Sequence, residues 1–315
     1  MSDLPKSVVL VEEGPREGFQ AEAAPVKTED KVLLIDALSE TGLQHIEVTS
    51  FVNPRWVPQM SDADEVSARF TRKPGVRYSA LTMNANGVRR AHQTGKFDDA
   101  GPLLIIASDA VSKSIVNKTM LQAVTDARPW AEAIKEAGFP LSVIVSSAFG
   151  CNIEGDVPPT RVVWIIAAIL NLSSELGINV ESVGLADTVG AANPLQVRRL
   201  VSIVHERFPG TDFYLHLHDT RGTGMANVYA GLEAGISRFD SSIGGLGGCP
   251  YACGAAGNVA TEDVALMCEE MGIDTGLDID KLFECARMAE QIVGHALPGK
   301  AKVGGRVKHS LLFPA

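Results

Sequence analysis

No run in the chain approaches the roughly 18 consecutive apolar residues of a membrane-spanning helix. The opening Met1-Ser2-Asp3-Leu4-Pro5-Lys6 also lacks the apolar core of a secretory signal. A helical membrane protein is therefore not expected, and the expected compartment is the cytoplasm. Basic residues are outnumbered: 28 Lys and Arg against 38 Asp and Glu leave a net charge of −10. No stretch gathers Lys and Arg with interleaved aromatics, so a nucleic-acid backbone finds no footprint and no nucleic-acid partner is expected. Cysteine is sparse, with Cys151, Cys249, Cys253, Cys268 and Cys285 scattered along the chain. An odd, dispersed set is not a disulfide framework and leaves room for a working thiol. The Cys-x3-Cys of Cys249 and Cys253 has no matching second pair, which argues against a structural zinc site.

What is present fits a soluble enzyme-sized body. Hydrophobic residues make up 45% and charged residues 21%, enough for a sizeable core. A length of 315 residues admits one large α/β barrel or two modest domains. Eight short runs rich in Val, Ile and Leu recur, most followed by a segment of helical periodicity, the pattern of βα units around a parallel sheet. They are Val8–Glu13, His45–Ser50, Arg77–Thr82, Leu103–Ser108, Leu141–Ala148, Ser182–Asp187, Phe213–His218 and Arg238–Ile243. Eight such strands predict closure into a TIM (β/α)8 barrel. No linker rich in Pro, Gly or Ser divides the chain, so residues 1–297 are read as one catalytic domain and 298–315 as a basic tail. That tail carries Lys300, Lys302, Arg306 and Lys308 and is expected to be a frayed terminus.

Helix ends are legible from their caps. Thr28 reads as a hydroxyl N-cap followed by Glu29 and Asp30, with Gly42 as the stop. Asn193-Pro194 and Pro159-Thr160 read as two further helix starts. After the eighth strand, Gly244–Asn258 holds six glycines in fifteen positions, a loop that is mobile or wraps a ligand closely.

The candidate chemistry lies at the carboxyl ends of these strands. His216 and His218 stand at i and i+2, so on a strand they share one face, here the barrel interior. Two imidazoles so placed are either metal ligands or satisfied core residues. Arg16, after the first strand, offers a permanent cation with fork geometry to a developing enolate oxygen, or else forms a solvated pair. Glu47 and Asp187 place carboxylates at the ends of the second and sixth strands. Asp187 acts as a base or anchor, or caps the turn that follows it. Cys249 lies in the glycine-rich loop, where backbone N–H groups and a nearby metal would lower its thiol pKa from about 8.5 and make it a proton carrier. Cys151 also follows a strand, whereas Cys268 and Cys285 fall in apolar helices and read as inert core.

Together these residues resemble a known family. Gly14-Pro15-Arg16-Glu17-Gly18-Phe19-Gln20, Glu47-Val48-Thr49-Ser50-Phe51-Val52, Trp56-Val57-Pro58-Gln59-Met60, His216-Leu217-His218-Asp219-Thr220 and Gly245-Leu246-Gly247-Gly248-Cys249-Pro250-Tyr251 are similar to the 3-hydroxy-3-methylglutaryl-CoA lyases. The similarity runs from about residue 8 to residue 290. It implies a TIM barrel binding Mg²⁺ or Mn²⁺ through Glu17, His216, His218 and Asn258, an acyl-CoA thioester substrate and a homodimer. It further implies that Arg16 polarises the thioester carbonyl, that Cys249 delivers a proton, and that Asp187 and Glu47 assist.

The chain also departs from that family. The usual run is Gly-Pro-Arg-Asp-Gly, and Glu17 replaces its metal-binding aspartate with a side chain longer by about 1.5 Å. Because Mg²⁺ demands near-ideal octahedral geometry, this change bears on metal preference or substrate identity. Arg221 and Thr223 replace an aromatic residue and a glutamine after the histidines, which points to a substrate with a different branch and gives Arg221 a substrate carboxylate, a CoA phosphate or the rim as its place. Two rivals stand beside the lyase: a Claisen-type condensing relative, as in homocitrate and isopropylmalate synthases, and a catalytically silent barrel used as a binding partner.

Overall fold

Parallel pairing is the only kind found in the main sheet. The computed structural model describes residues 4–247 and 257–307. The strands of the main sheet are β1 (Val9–Glu12), β2 (His45–Ser50), β3 (Arg77–Leu81), β4 (Leu103–Ile106), β5 (Leu141–Ser146), β6 (Val180–Asp187), β7 (Phe213–Leu217) and β8 (Arg238–Ser241). They lie in the order β3-β2-β1-β8-β7-β6-β5-β4. That is a chain-order ring cut once, between β3 and β4. First and last strands are neighbours, with Val9 opposite Arg238 and Glu12 opposite Ser241. At the cut, a Ser79–Asp99 bridge and a 2.8 Å bond from the Asp98 N–H to the Tyr78 carbonyl tie β3 to the segment entering β4. The architecture is TIM-barrel-like, and every strand predicted from sequence is found within two residues of its expected ends.

Side-chain alternation separates the inside of the ring from its outer layer. Phe213, Leu215 and Leu217 of β7 join the main core between sheet and helices. Tyr214 instead packs with Ile144 of β5 and Ala186 of β6. His216 and His218 follow Tyr214 with the strand period of two and share its face. β5 is buried on both faces, as a strand covered by helices must be.

Two local expectations need correction. Thr28 is not a cap: the helix Thr28–Ser39 begins after Lys27, and the Thr28 hydroxyl donates to Asp62 at 2.8 Å. Asp62 is held there by the buried Lys31, whose ammonium lies 2.6 Å from it, so a tertiary ion pair takes the hydroxyl that would otherwise cap. The terminus is not frayed as far as residue 307. Lys302 is buried and donates to the carbonyls of Leu297 and Gly299 at 2.7 Å, and Asp263 accepts from the N–H groups of Lys300 and Ala301. The Asn193 cap is as predicted, with Gln196 returning the bond to the Asn193 N–H ahead of helix Pro194–Arg207.

Candidate active site

β1 delivers the chain into a wide helical turn, Gly14–Gly18, in which the Glu13 carbonyl accepts from the N–H groups of Arg16, Glu17 and Gly18. Gly18 permits a close approach: a Cβ there would lie 2.7 Å from the Cβ of Leu246, at the stem of the glycine-rich loop. Glu12 ties the two segments together. One of its oxygens accepts from the N–H groups of Gly14 at 2.7 Å and Ile243 at 2.8 Å, and the other from the Thr261 hydroxyl at 2.7 Å. Burial pushes this carboxyl up to about 7.

The turn aims Glu17 at the two histidines of β7. Its Oε1 lies 3.1 Å from His218 Nε2 and 3.6 Å from His216 Nε2, and the two ring nitrogens are 3.1 Å apart. Among the described residues this trio is the one group of His, Cys, Asp and Glu whose ligand atoms lie close enough to hold a metal ion. Asn258 lies beside it. Its backbone bridges His218, and its side-chain oxygen is buried with no hydrogen-bond partner. Gly247, at φ +122°, makes room, since a Cβ there would sit 2.9 Å from the Asn258 amide nitrogen. Asp240 lies directly across the sheet from His216 and reaches its Nδ1 at 3.2 Å, orienting the ring so that Nε2 faces Glu17. Burial alone would lower His216, yet Glu17 and Asp240 outweigh it and push it up to about 10. Burial likewise works to raise Glu17, but His216 and then Arg16 hold it well below the usual carboxylate range.

Arg16 carries a carboxylate on each of its three nitrogens. Glu47 pairs with Nε, Glu17 lies 2.9 Å from Nη1, and Glu13 lies 2.5 Å from Nη2. Burial first, and then the neighbouring Glu47 carboxylate, raise Glu13 well above its ordinary value. Asp187 is fully buried beside this group, where its two oxygens accept from the N–H groups of Ala191 at 2.6 Å and Ala192 at 3.0 Å. Burial raises its pKa, while those amides and the nearby His218 pull the other way. Glu13, Glu17 and Glu47 thus gather around one buried permanent cation, Asp240 and Asp187 flank the histidines, and Asn258 adds an unpartnered oxygen. A surplus of hard oxygen donors with two imidazoles suits a divalent cation.

Of the residues singled out from sequence, Arg16, Glu17, Glu47, His216, His218 and Asn258 come together, with Asp187 next to them. Arg221 is exposed and near enough to Asp187 to pull its pKa down. Cys249 and Cys253 lie outside the described residues. Cys268 and Cys285 are buried in helices, where burial pushes their thiols up to about 11 and 12, as inert core cysteines should be. Cys151 is buried with its thiol 3.2 Å from the Ser108 hydroxyl. Sequence reasoning gave no role to Glu13 or Asp240. The signal was there in both cases: an acidic residue in or just past an apolar strand run.

A hydroxymethylglutaryl-CoA lyase of Bacillus subtilis is 40% identical over 296 residues, covering 94% of this chain and 96% of that protein. A 3-hydroxy-3-isohexenylglutaryl-CoA/hydroxymethylglutaryl-CoA lyase of Pseudomonas aeruginosa is 38% identical over 299 residues, covering 95% and 97%. The structure of an HMG-CoA lyase from Acinetobacter baumannii, in complex with coenzyme A and 3-methylmalate, superimposes with a TM-score of 0.89 at 35% identity and covers the whole of both chains. Residues 7–289 match the HMGL-like family, and with near full-length relatives at this identity the chain belongs to that family.

Proposed function

We propose that the protein is a divalent-metal-dependent carbon–carbon lyase that cleaves 3-hydroxy-3-methylglutaryl-CoA, or a closely related 3-hydroxyacyl-CoA, to acetyl-CoA and a keto acid, acetoacetate for the parent substrate. The observation that carries this reading is the meeting of Glu17, His216, His218 and the unpartnered Asn258 oxygen beside Arg16. Those four residues would hold Mg²⁺ or Mn²⁺, which when bound supplies Lewis-acid stabilisation of the substrate alkoxide. Asp187 takes the proton of the 3-hydroxyl group, its basicity raised by burial. The C2–C3 bond then breaks, and its electron pair passes to the thioester carbonyl, where Arg16 bears the charge of the enolate. Glu47 fixes the Arg16 guanidinium through Nε. Cys249 returns a proton to C2, completing acetyl-CoA, while the former carbinol carbon leaves as the ketone of the keto acid.

The test is a screen of 3-hydroxyacyl-CoA thioesters differing in the C3 branch, with Mg²⁺ and with Mn²⁺, reading acetyl-CoA release. Release from at least one thioester, stopped by a chelator, is expected. A protein that binds metal and only condenses acetyl-CoA with a keto acid is the Claisen-type relative instead, and one that does neither is a silent barrel.

A further inference from the structure

Glu47 and Glu13 hold two nitrogens of Arg16, with their own carboxyl groups within hydrogen-bonding reach of each other. Glu47 comes from β2 and takes Nε, whereas Glu13, the residue after β1, takes Nη2. Both carboxyl groups are buried, so neither contact is a solvated surface pair, and buried contacts to a guanidinium fix it more firmly than exposed ones do. Glu13 also supplies the backbone carbonyl on which the Gly14–Gly18 turn is wound. The same residue therefore sets both where the turn begins and where the arginine at its centre points.

We propose that Glu13 is a positioning residue of the active site: with Glu47 it clamps the Arg16 guanidinium in the plane from which it meets the thioester oxygen of the substrate. This rests on the reading of Arg16 as the group that bears the enolate charge. Without Glu13, Nη2 loses its protein partner and the guanidinium pivots on Nε and Nη1 toward Glu17. Misplacement of a charged group by about 1 Å is enough to cost roughly 100-fold in turnover.

Two variants of the full-length protein test this, assayed with the thioester that the screen above selects. Glu13→Ala removes the clamp, and Glu13→Gln keeps a carbonyl oxygen for Nη2. The expected result is a kcat for Glu13→Ala lower by about 100-fold with KM nearly unchanged, and recovery in Glu13→Gln to within about tenfold of the parent. Mn²⁺ affinity is expected to stay at the parental value in both. Parental kcat in Glu13→Ala overturns the proposal, as does equal loss in both variants together with a lowered melting temperature, which marks a packing role. Loss of Mn²⁺ binding in Glu13→Ala overturns it too, because Glu13 would then be supporting the metal ligands. A substrate-free readout keeps the proposal separate from the lyase reading. The Arg16 Nη2–H signals in nitrogen-15 spectra are expected to be slow in solvent exchange in the parent and in Glu13→Gln, and fast in Glu13→Ala, while Nε–H, held by Glu47, stays slow in all three. Fast exchange in the parent contradicts the clamp even if no thioester is cleaved.

Discussion

The two ends of the barrel carry two charge networks built to different plans. At the amino-terminal end, Arg77 pairs with Asp99 at 2.6 Å and with both oxygens of Glu181 at 3.0 and 2.8 Å. His45 lies 3.5 Å from Asp99 and 2.9 Å from the Ser79 hydroxyl, and Arg238 stacks on Tyr214 while donating to Ser182. Cations and anions alternate there, and Glu181 and Arg77 keep some contact with water. At the carboxyl end, several buried carboxylates share one arginine, and a buried amide oxygen has no partner. A network whose charges balance holds strands together. A network with surplus anion and orphaned acceptors is unfavourable by itself and makes sense with a bound cation.

The sharpest way to break that contrast is to remove a ligand at the carboxyl end. His216→Ala or His218→Ala is expected to lose bound metal and about three orders of magnitude in turnover while the fold is retained, measured by elemental analysis, acetyl-CoA release and circular dichroism. Full metal occupancy in both variants would contradict the assignment.

Next in size is a pH effect from carboxyls that lie under the site and outside the metal cluster. Burial raises Glu12 to about 7 and Glu262 to about 8, from an ordinary value of 4.5. A carboxyl whose folded pKa is raised binds its proton more tightly in the folded state, so its contribution is complete below about pH 4.5. It is lost progressively as pH rises through 7 and 8. The unfolding free energy from urea titration is therefore expected to fall between pH 5 and pH 8, by an amount on the order of a few kcal/mol. Glu12→Gln and Glu262→Gln should each flatten that fall, and an unchanged slope in both would remove the argument.

A smaller effect concerns Glu17. Its two oxygens face different partners, one the histidines and the other Arg16 Nη1. If the longer arm serves that bridge, Mn²⁺, with looser geometric demands, should support more activity than Mg²⁺, and Glu17→Asp should narrow the difference several-fold. An unchanged ratio of Mn²⁺ to Mg²⁺ activity would argue that Glu17 is not a ligand. The smallest effect belongs to the other end of the barrel. Glu181→Gln is expected to cost no more than about 1 kcal/mol in urea unfolding and to leave kcat unaltered, since its partner Arg77 keeps Asp99. A loss of activity there would end the division of labour between the two networks.

Much of this arrangement was legible in the order of residues. Strand periodicity found β1 to β8, because runs such as Leu141–Ser146 are buried on both faces and leave a continuous apolar signal. The i, i+2 spacing of His216 and His218 placed both rings inside, and resemblance supplied Glu17 and Asn258 as their companions. What escaped were contacts made across the sheet. Asp240 meets His216 only because β8 lies beside β7 in that register, and Glu13 meets Glu47 and Arg16 only because β1 lies beside β2. The Thr28 cap failed for the same reason, as Asp62 arrives from a distant part of the chain. Neither spacing nor composition carries such pairings. The packing of Lys302 against Leu297 and Gly299 was hidden as well, because a basic terminal segment has the composition of a loose one.

The central claim is that the carboxyl end of the barrel is a divalent metal centre, and diffraction from crystals grown with Mn²⁺, recorded near its absorption edge, tests it most directly. One anomalous peak within about 2.0–2.4 Å of His216, His218, Asn258 and a Glu17 oxygen is predicted. Absence of a peak at this site at saturating Mn²⁺, or a peak lying elsewhere with His216 and His218 still bonded to each other, would contradict it.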